Sequence, residues 1–383
     1  MKEKKSLLRN GGFQTFTTSI VCIILGMIVG FLALLIIEPS GAWGAIVAVI
    51  KNFFSYPSAA FRLQYFGSTL AKTAPLIFCS LSVLFAYKVG LFNIGAAGQY
   101  CLGIALALYL AIIVQLPWYI CLLAGIAAGA ISGALCGILK AFFNVNVVIS
   151  GIMLNWISLY GTNLLLKPAM DPSGKDTFRL VNKAKQALLP TLGLDKLFNK
   201  NQYVTIAIPL AIIAAVVIWI ILDKTKLGYE LKATGNNLNA AKYCGMKENR
   251  NIVLTMVIAG GLAAMGGALY YLSDFEQWNV NASAVPGMGF NGIAAAFLGG
   301  LNPIGSIFSS YFITHITVGG GNVDLSRYCA QIADFISSVI IYLCGFVLFF
   351  KTFMNKRLDK AEEKKIARAR AAAEAENKEG GNA

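Results

Sequence analysis

The chain is 383 residues long and 57% hydrophobic, with only 13% charged residues and a mean hydropathy of +0.66. A soluble domain would carry about 25% charged residues, and several apolar runs here reach the roughly 20 residues that cross a bilayer, so composition excludes a soluble protein and implies an all-α, polytopic membrane protein. The formal charge of +14 does not mark a nucleic-acid binder, because the Lys and Arg flank the apolar runs and form no soluble basic face.

From the N-terminus, Lys2, Lys4, Lys5 and Arg9 precede the apolar run Ser19–Ile37. That run is longer than the 7–15 residues of a signal peptide and no small-x-small cleavage site closes it, so it reads as a retained first span behind a cytoplasmic N-terminus, 1–16. The transmembrane part, 17–352, continues with Leu70–Tyr87, Ile94–Val114, Pro117–Leu139, Val147–Leu166, Val204–Leu222, Ile252–Leu272, Gly289–Leu301, Ile304–Val318 and Ile332–Phe350. The eighth and ninth of these ten are too short to cross unaided, which predicts tilted, broken or partly re-entrant helices. Ten spans return both termini to one side. Of the 32 Lys and Arg, 21 then fall in inner segments, which puts the termini in the cytoplasm. Seven others lie in the outer loop, 168–202 with Lys167 at its edge. That loop reads either as a solvated connector or as a docking surface for an extracytoplasmic partner. The charged tail, 353–383, reads as a solvated cytoplasmic helix that frays. The eight Cys stand singly with no C-x-x-C spacing, so neither a disulfide framework nor a metal site is indicated.

A short internal echo joins the two halves. Phe92-Asn93-Ile94-Gly95-Ala96-Ala97 and Phe290-Asn291-Gly292-Ile293-Ala294-Ala295 share the pattern F-N-x-x-A-A, both just after a Gly and each beginning a Gly-rich, small-residue span. Transport folds are often built from two repeated halves whose broken helices meet near the midplane.

Between the sixth and seventh spans, the inner loop 223–250 carries the polar stretch Ala233–Met246, ATGNNLNAAKYCGM. Asn236 or Asn237 can cap a helix through its side-chain oxygen, Leu238–Cys244 then makes about two turns, and Gly245 can end it in the left-handed conformation. Ala240 and Ala241 offer almost no side chain, so a partner could approach closely. From the residues alone two readings stand level: a rigid element that transmits a push from a soluble partner, and a loop with a stray helical turn. The segment Ala240-Ala241-Lys242-Tyr243-Cys244-Gly245 resembles the coupling motif of ATP-binding-cassette importer permeases: Ala-Ala, three residues, then Gly. Leu231-Lys232-Ala233-x-Gly235-x-Asn237 resembles their branched-chain-amino-acid, ribose and nucleoside branch, although Asn239 stands where Glu is usual. Gly90-Leu91-Phe92-Asn93-Ile94-Gly95-Ala96-Ala97-Gly98-Gln99 is similar to the third-span signature of nucleoside-type members. Gly289-Phe290-x-x-Ile293-Ala294 through Leu298-Gly299-Gly300-x-x-Pro303-x-Gly305 is similar to their second-half signature.

The resemblance implies that two permease chains, identical or paralogous, form the pathway, that ATPase subunits dock at Gly235, Asn236, Asn237, Ala240, Ala241 and Gly245, and that a substrate-binding lipoprotein delivers from outside. The chain lacks G-x-x-x-x-G-K-[ST], so ATP would be bound by a partner and this chain would hold no cofactor. Candidate pathway residues are Asn93, Gln99, Asn155 with its neighbour Trp156, Phe290 and Asn291. Neutral amides suit the hydroxyls and base edge of a nucleoside and the aromatic rings could stack on its base, while interhelical hydrogen bonding is the alternative role for the Asn residues and packing that for Phe290. Asp334 reads as a carboxylate at a wet helix end, lone His315 as a packing residue, and Asp274, Glu276 and Trp278 as an outer rim that could meet a binding protein. Other assignments stay open: a permease for a ribose-like sugar or a branched-chain amino acid, an ion-coupled carrier, or a membrane enzyme. A carrier would place buried carboxylates or His in the core, and an enzyme would gather nucleophile, base and orienting group in one span pair; this sequence offers neither pattern.

Overall fold

The structure, a computed structural model, describes residues 11–324 and, beyond them, residues 326–328, 335, 336, 338, 339, 342, 343, 346, 349, 350, 352, 353, 355–357, 359, 360, 363 and 364. The tenth expected span, Ile332–Phe350, the tail and Asp334 therefore lie wholly or largely outside the described residues. Between residues 11 and 324 the regular secondary structure is all helix, with isolated β-bridges at Met170–Thr177 and Asp176–Asn279.

The helices are α1 (Gly11–Ile37), α2 (Ala42–Lys51), α3 (Ala59–Lys88), α4 (Ala96–Ile112), α5 (Trp118–Phe143), α6 (Val147–Leu166), α7 (Leu180–Lys183), α8 (Leu194–Leu197), α9 (Ala207–Lys224), α10 (Lys226–Asn236), α11 (Leu238–Tyr243), α12 (Glu248–Leu272), α13 (Gly287–Leu298) and α14 (Pro303–Gly319). Six of them (α1, α3, α5, α6, α9 and α12) are long and apolar enough to cross a membrane, while α2, α4 and α13 are shorter apolar helices. The protein is thus a multi-pass helical membrane protein, and the count of ten spans is not established by these lengths. Two differences from the sequence reading stand out. Helix α1 already includes Gly11, eight residues before Ser19, and Glu38–Thr69 holds a helix, α2, that was not foreseen. An apolar run of ten residues falls below the length that signals a span.

Helices α3 and α12 form the centre. The apolar stretch of α3 is 89% buried within the chain and that of α12 67%, against 22% for α1 and 28% for α9, most of whose surface the chain itself leaves uncovered. Helix α12 packs along α5, α3 and α4. Lipid tails are as apolar as Leu, so helices in a bilayer associate through close packing and interhelical hydrogen bonds, and small residues let backbones approach. Gly125, Gly129, Gly133 and Gly137 recur every fourth residue on α5 and so share one face. A Cβ on Gly133 would collide with the carbonyl oxygen of Met256, and one on Gly129 with Ala264 Cβ and the Gly260 carbonyl oxygen.

The segment from Lys167 to Ile206 is no free connector. Leu189 N–H donates to the Leu272 carbonyl at 3.2 Å, Thr177 N–H to the Trp278 carbonyl at 2.9 Å, and Val280 N–H to the Lys175 carbonyl at 2.9 Å. Asn201 Nδ2 donates to the Gln64 carbonyl at 2.7 Å and to Ser68 Oγ at 2.9 Å, fastening the loop to the first turns of α3. The bundle therefore has a long-loop end, and an opposite end that carries α10 and α11.

The α5–α12 seam should tolerate no added bulk. Gly133→Leu should destabilise the detergent-solubilised chain by about 1–3 kcal/mol or more, the usual range for overpacking. Gly161→Leu on α6, where an added Cβ meets nothing within 4 Å, should leave its thermal aggregation midpoint unchanged.

Candidate functional site

At the α10–α11 end, α3 stops at Lys88 and the chain turns back. Gly90 adopts φ +75°, a left-handed conformation that costs an L-residue about 1–2 kcal/mol. Phe92–Gly95 then runs back along α3. Asn93 reaches Ser82, six residues before Lys88 and so about 9 Å up the helix.

Three amides fix this return. Asn93 Nδ2 donates to Ser82 Oγ at 3.0 Å and to Gln99 Oε1 at 2.8 Å, and Gln99 Nε2 donates back to Asn93 Oδ1 at 3.4 Å. Asn155 on α6 accepts from Gly98 N–H at 2.7 Å and donates to the Ile94 carbonyl at 3.1 Å. The first N–H groups of a helix lack intrahelical partners, and Gly95 at the head of α4 supplies no side chain to cap them, so a neighbouring helix fills the role. All three amides are buried. In this conformation they bond to the protein itself.

The other two candidates lie on α13. Gly289 packs directly on Ala97, and Gly292 on Cys79 of α3. The head of the second F-N-x-x-A-A stretch therefore meets the end of the first at one junction, the start of α4. From it Phe290 emerges 41% exposed, while Asn291 is half-buried.

The α10–α11 segment abuts the same turn. Thr225 caps α10, its Oγ accepting from Gly228 N–H at 3.1 Å. At the far end of α10 the backbone of Gly235 lies on Val89 and Gly90, and a Cβ on Gly235 would overlap the Val89 carbonyl group. Beside it, Asn251 of α12 donates to Thr234 Oγ1 at 2.9 Å, while its Oδ1 accepts no hydrogen bond among the described residues. Asn237, not Asn236, caps α11, accepting from Ala240 N–H at 3.0 Å, and Gly245 takes φ +77°. The alanine pair splits: Ala241 is buried against the chain, whereas Ala240 faces out with Asn236, Asn237 and Gly245. Only Ala240 of the two presents a small-residue surface. Tyr243, 93% exposed, and Leu238 add apolar area beside it.

At the long-loop end two rim residues are corrected. Asp274 is buried; it accepts from Leu180 N–H at 2.8 Å and pairs with Arg179 Nε at 3.3 Å. The Tyr203 hydroxyl, and then this carboxylate, hold the Arg179 guanidinium above its ordinary pKa. Trp278 is also buried, donating its indole N–H to Asn163 Oδ1 at 2.9 Å. Both clamp the loop, and only Glu276 is exposed. His315 joins α14 to the end of α2, with Nε2 at 2.9 Å from the Ile50 carbonyl and the His315 carbonyl accepting from Asn52 Nδ2 at 2.9 Å. Sequence reasoning passed over Asn163, Asn201 and Asn251. The signal was available for Asn163 and Asn251, since an amide inside an apolar helix needs a partner.

A family model described as "branched-chain amino acid transport system / permease component" matches residues 65–345. The chain belongs to that family. It is 33% identical to the guanosine ABC transporter permease protein NupP of Bacillus subtilis (strain 168), covering 88% of this chain and 95% of that one. It is 30% identical to the nucleoside ABC transporter permease protein NupB of Lactococcus lactis subsp. cremoris, covering 88% and 92%, and 28% identical to a glucose ABC transporter permease protein of Haloferax volcanii, covering 88% and 89%. No solved structure matches the chain. The matched stretch of this permease component contains both the α3–α4 turn and the α10–α11 segment that packs on it.

The turn and the segment should loosen together. Gly235→Val should raise amide hydrogen exchange across residues 89–94, because the added side chain must push α10 off the turn. Gly245→Ala, strained in backbone but meeting nothing within 4 Å, should leave that exchange at the wild-type rate.

Proposed function

We propose that this chain is the permease subunit of an ATP-driven importer for nucleosides. The observation that carries the proposal is the similarity to the guanosine permease protein, which spans nearly the full length of both chains. The interior supports it: the helix junction where α4, α6 and α13 meet is held by neutral amides, among them Asn93, Gln99 and Asn155. Such groups can exchange partners with ribose hydroxyls and base edges without the cost of burying a charge. The glucose permease relative makes a sugar the second reading.

In this proposal both termini are cytoplasmic, ten spans cross the membrane in two related halves, 17–352 forms the membrane domain, and 168–202 faces outside. The loop 223–250 faces the cytoplasm, where Gly235, Asn236, Asn237, Ala240 and Gly245 meet an ATPase subunit that binds the ATP. Buried Ala241 would serve there by seating α11. A second permease chain completes the pathway, a binding lipoprotein delivers substrate, and Asn93, Gln99, Asn155, Phe290 and Asn291 border the route. Pressure on α11 would reach Asn93 through Gly235 and Gly90, where no side chain intervenes to absorb it.

Cells with and without this chain should differ in uptake of labelled uridine and inosine, and vanadate, which blocks ATP turnover, should abolish the difference. Ala240→Trp should abolish the uptake while the membrane content of the chain stays normal. Loss of ribose or leucine uptake alone would replace the substrate class. Nucleoside uptake that resists vanadate and collapses with the proton gradient would remove the ATPase.

A further inference from the structure

Helix α6 shows two opposite faces. Asn155, Ser158 and Thr162 are buried, while Trp156 and Tyr160 stand 43% and 57% exposed. The two rings stack on each other, with centroids 6.1 Å apart and planes 25° apart. Trp156 is the tenth of the 20 residues of α6, so it lies about 14 Å from the helix start, near the middle of a hydrocarbon core about 30 Å thick. Exposed Trp and Tyr side chains belong at the membrane–water boundary, where the ring is dry and the polar atom wet. Trp43, Tyr87 and Tyr119 fit that rule, each within two residues of a helix end. Trp156 does not. Among the described residues neither its indole N–H nor the Tyr160 hydroxyl has a hydrogen-bond partner, and acyl chains supply none.

The position of this pair is equally specific. The residue before Trp156 is Asn155, which holds the head of α4, and the residue before Phe290 is Gly289, which packs on Ala97 in the same head. Two exposed aromatic rings thus leave a single helix junction, each one residue beyond a packing contact.

We propose that Trp156 and Tyr160 form an aromatic platform in the wall of the substrate pathway, on which the planar base of a nucleoside stacks. The inference deepens the nucleoside-importer reading and rests on it. A stacked base covers the ring faces that lipid would otherwise meet, while the ribose and the base edge reach the unpartnered N–H and O–H. Every base has a π-face, so such a platform favours nucleosides over free sugars with little preference among bases.

The test uses the transporter purified with its partner subunits through a tag on this chain and placed in lipid nanodiscs. The Trp156 fluorescence is the difference between wild type and Trp156→Phe, since the chain has five Trp. Inosine should quench that difference signal, and phosphatidylcholine brominated along its acyl chains should leave it unchanged. In cells, Trp156→Ala should raise the KM for inosine about tenfold, the scale of one lost base–aromatic stack, with Vmax and membrane content preserved. Trp156→Phe should restore most of the affinity, and Trp43→Ala should leave KM unaltered. Quenching by brominated lipid without quenching by inosine would make the pair a lipid-facing surface. Quenching by neither would mean that a second permease chain covers it. Either result with nucleoside uptake intact overturns the platform alone, whereas import of ribose or leucine in place of nucleosides overturns the substrate reading, and the platform with it.

Discussion

No side chain fits between Gly235 and the Val89–Gly90 turn, and the rest of the site is arranged around that contact. Backbone lies on backbone at the point where α10 ends, α3 ends and the return toward Asn93 begins. Side chains in a packed interface can change rotamer and absorb a small displacement. Two touching backbones cannot, because any approach brings peptide groups together. The joint is flanked on one side by the Asn251–Thr234 hydrogen bond and on the other by the Asn93–Gln99 pair, so a rigid path leads from the exposed surface of α11 into the bundle.

The path ends where two short helices, α4 and α13, converge beside the long helix α6. Helix α4 begins beside Asn155 of α6 and against Gly289 of α13, and each approach depends on glycine. Behind them the α5–α12 seam, closed by glycine on glycine, provides a wall that does not yield. A rigid centre and a junction held by a few exchangeable amide hydrogen bonds suit a pathway that opens and closes. Each bond is worth roughly 1 kcal/mol or less in a membrane, so partners can be traded at modest cost. The long-loop end is built differently: Asp274, Arg179, Trp278 and Asn201 clamp residues 167–206 onto the bundle.

Much of this was written in the sequence. The polar stretch after the sixth span announced a capped helix with a left-handed stop, and α11 with Asn237 and Gly245 is that helix. The apolar run Val147–Leu166 was legible to the residue as α6, and Ile94–Val114 to within two residues at each end as α4. What could not be read was orientation and tertiary pairing. A six-residue helix has no periodicity long enough to tell that Ala240 faces out and Ala241 faces in. Asp274 and Trp278 follow a span and look like a wet rim, and only the returning loop shows that they are its anchors. Helix α2 was missed because ten apolar residues fall short of a span, and its membership in the bundle depends on partners such as α14 that lie far away in sequence.

The most direct test of this account follows the joint through the transport cycle. With exposed Cys244 replaced by Ser, spin labels on Lys88→Cys and Asn236→Cys would report the separation of the α3–α4 turn and the end of α10. In the assembled transporter that distance distribution should be the same without nucleotide and with trapped ATP, because the two elements move as one body. A shift to longer distances on ATP trapping, with uptake activity intact in the labelled protein, would show that α10 slides over the turn and that the Gly90–Gly235 contact does not carry the motion.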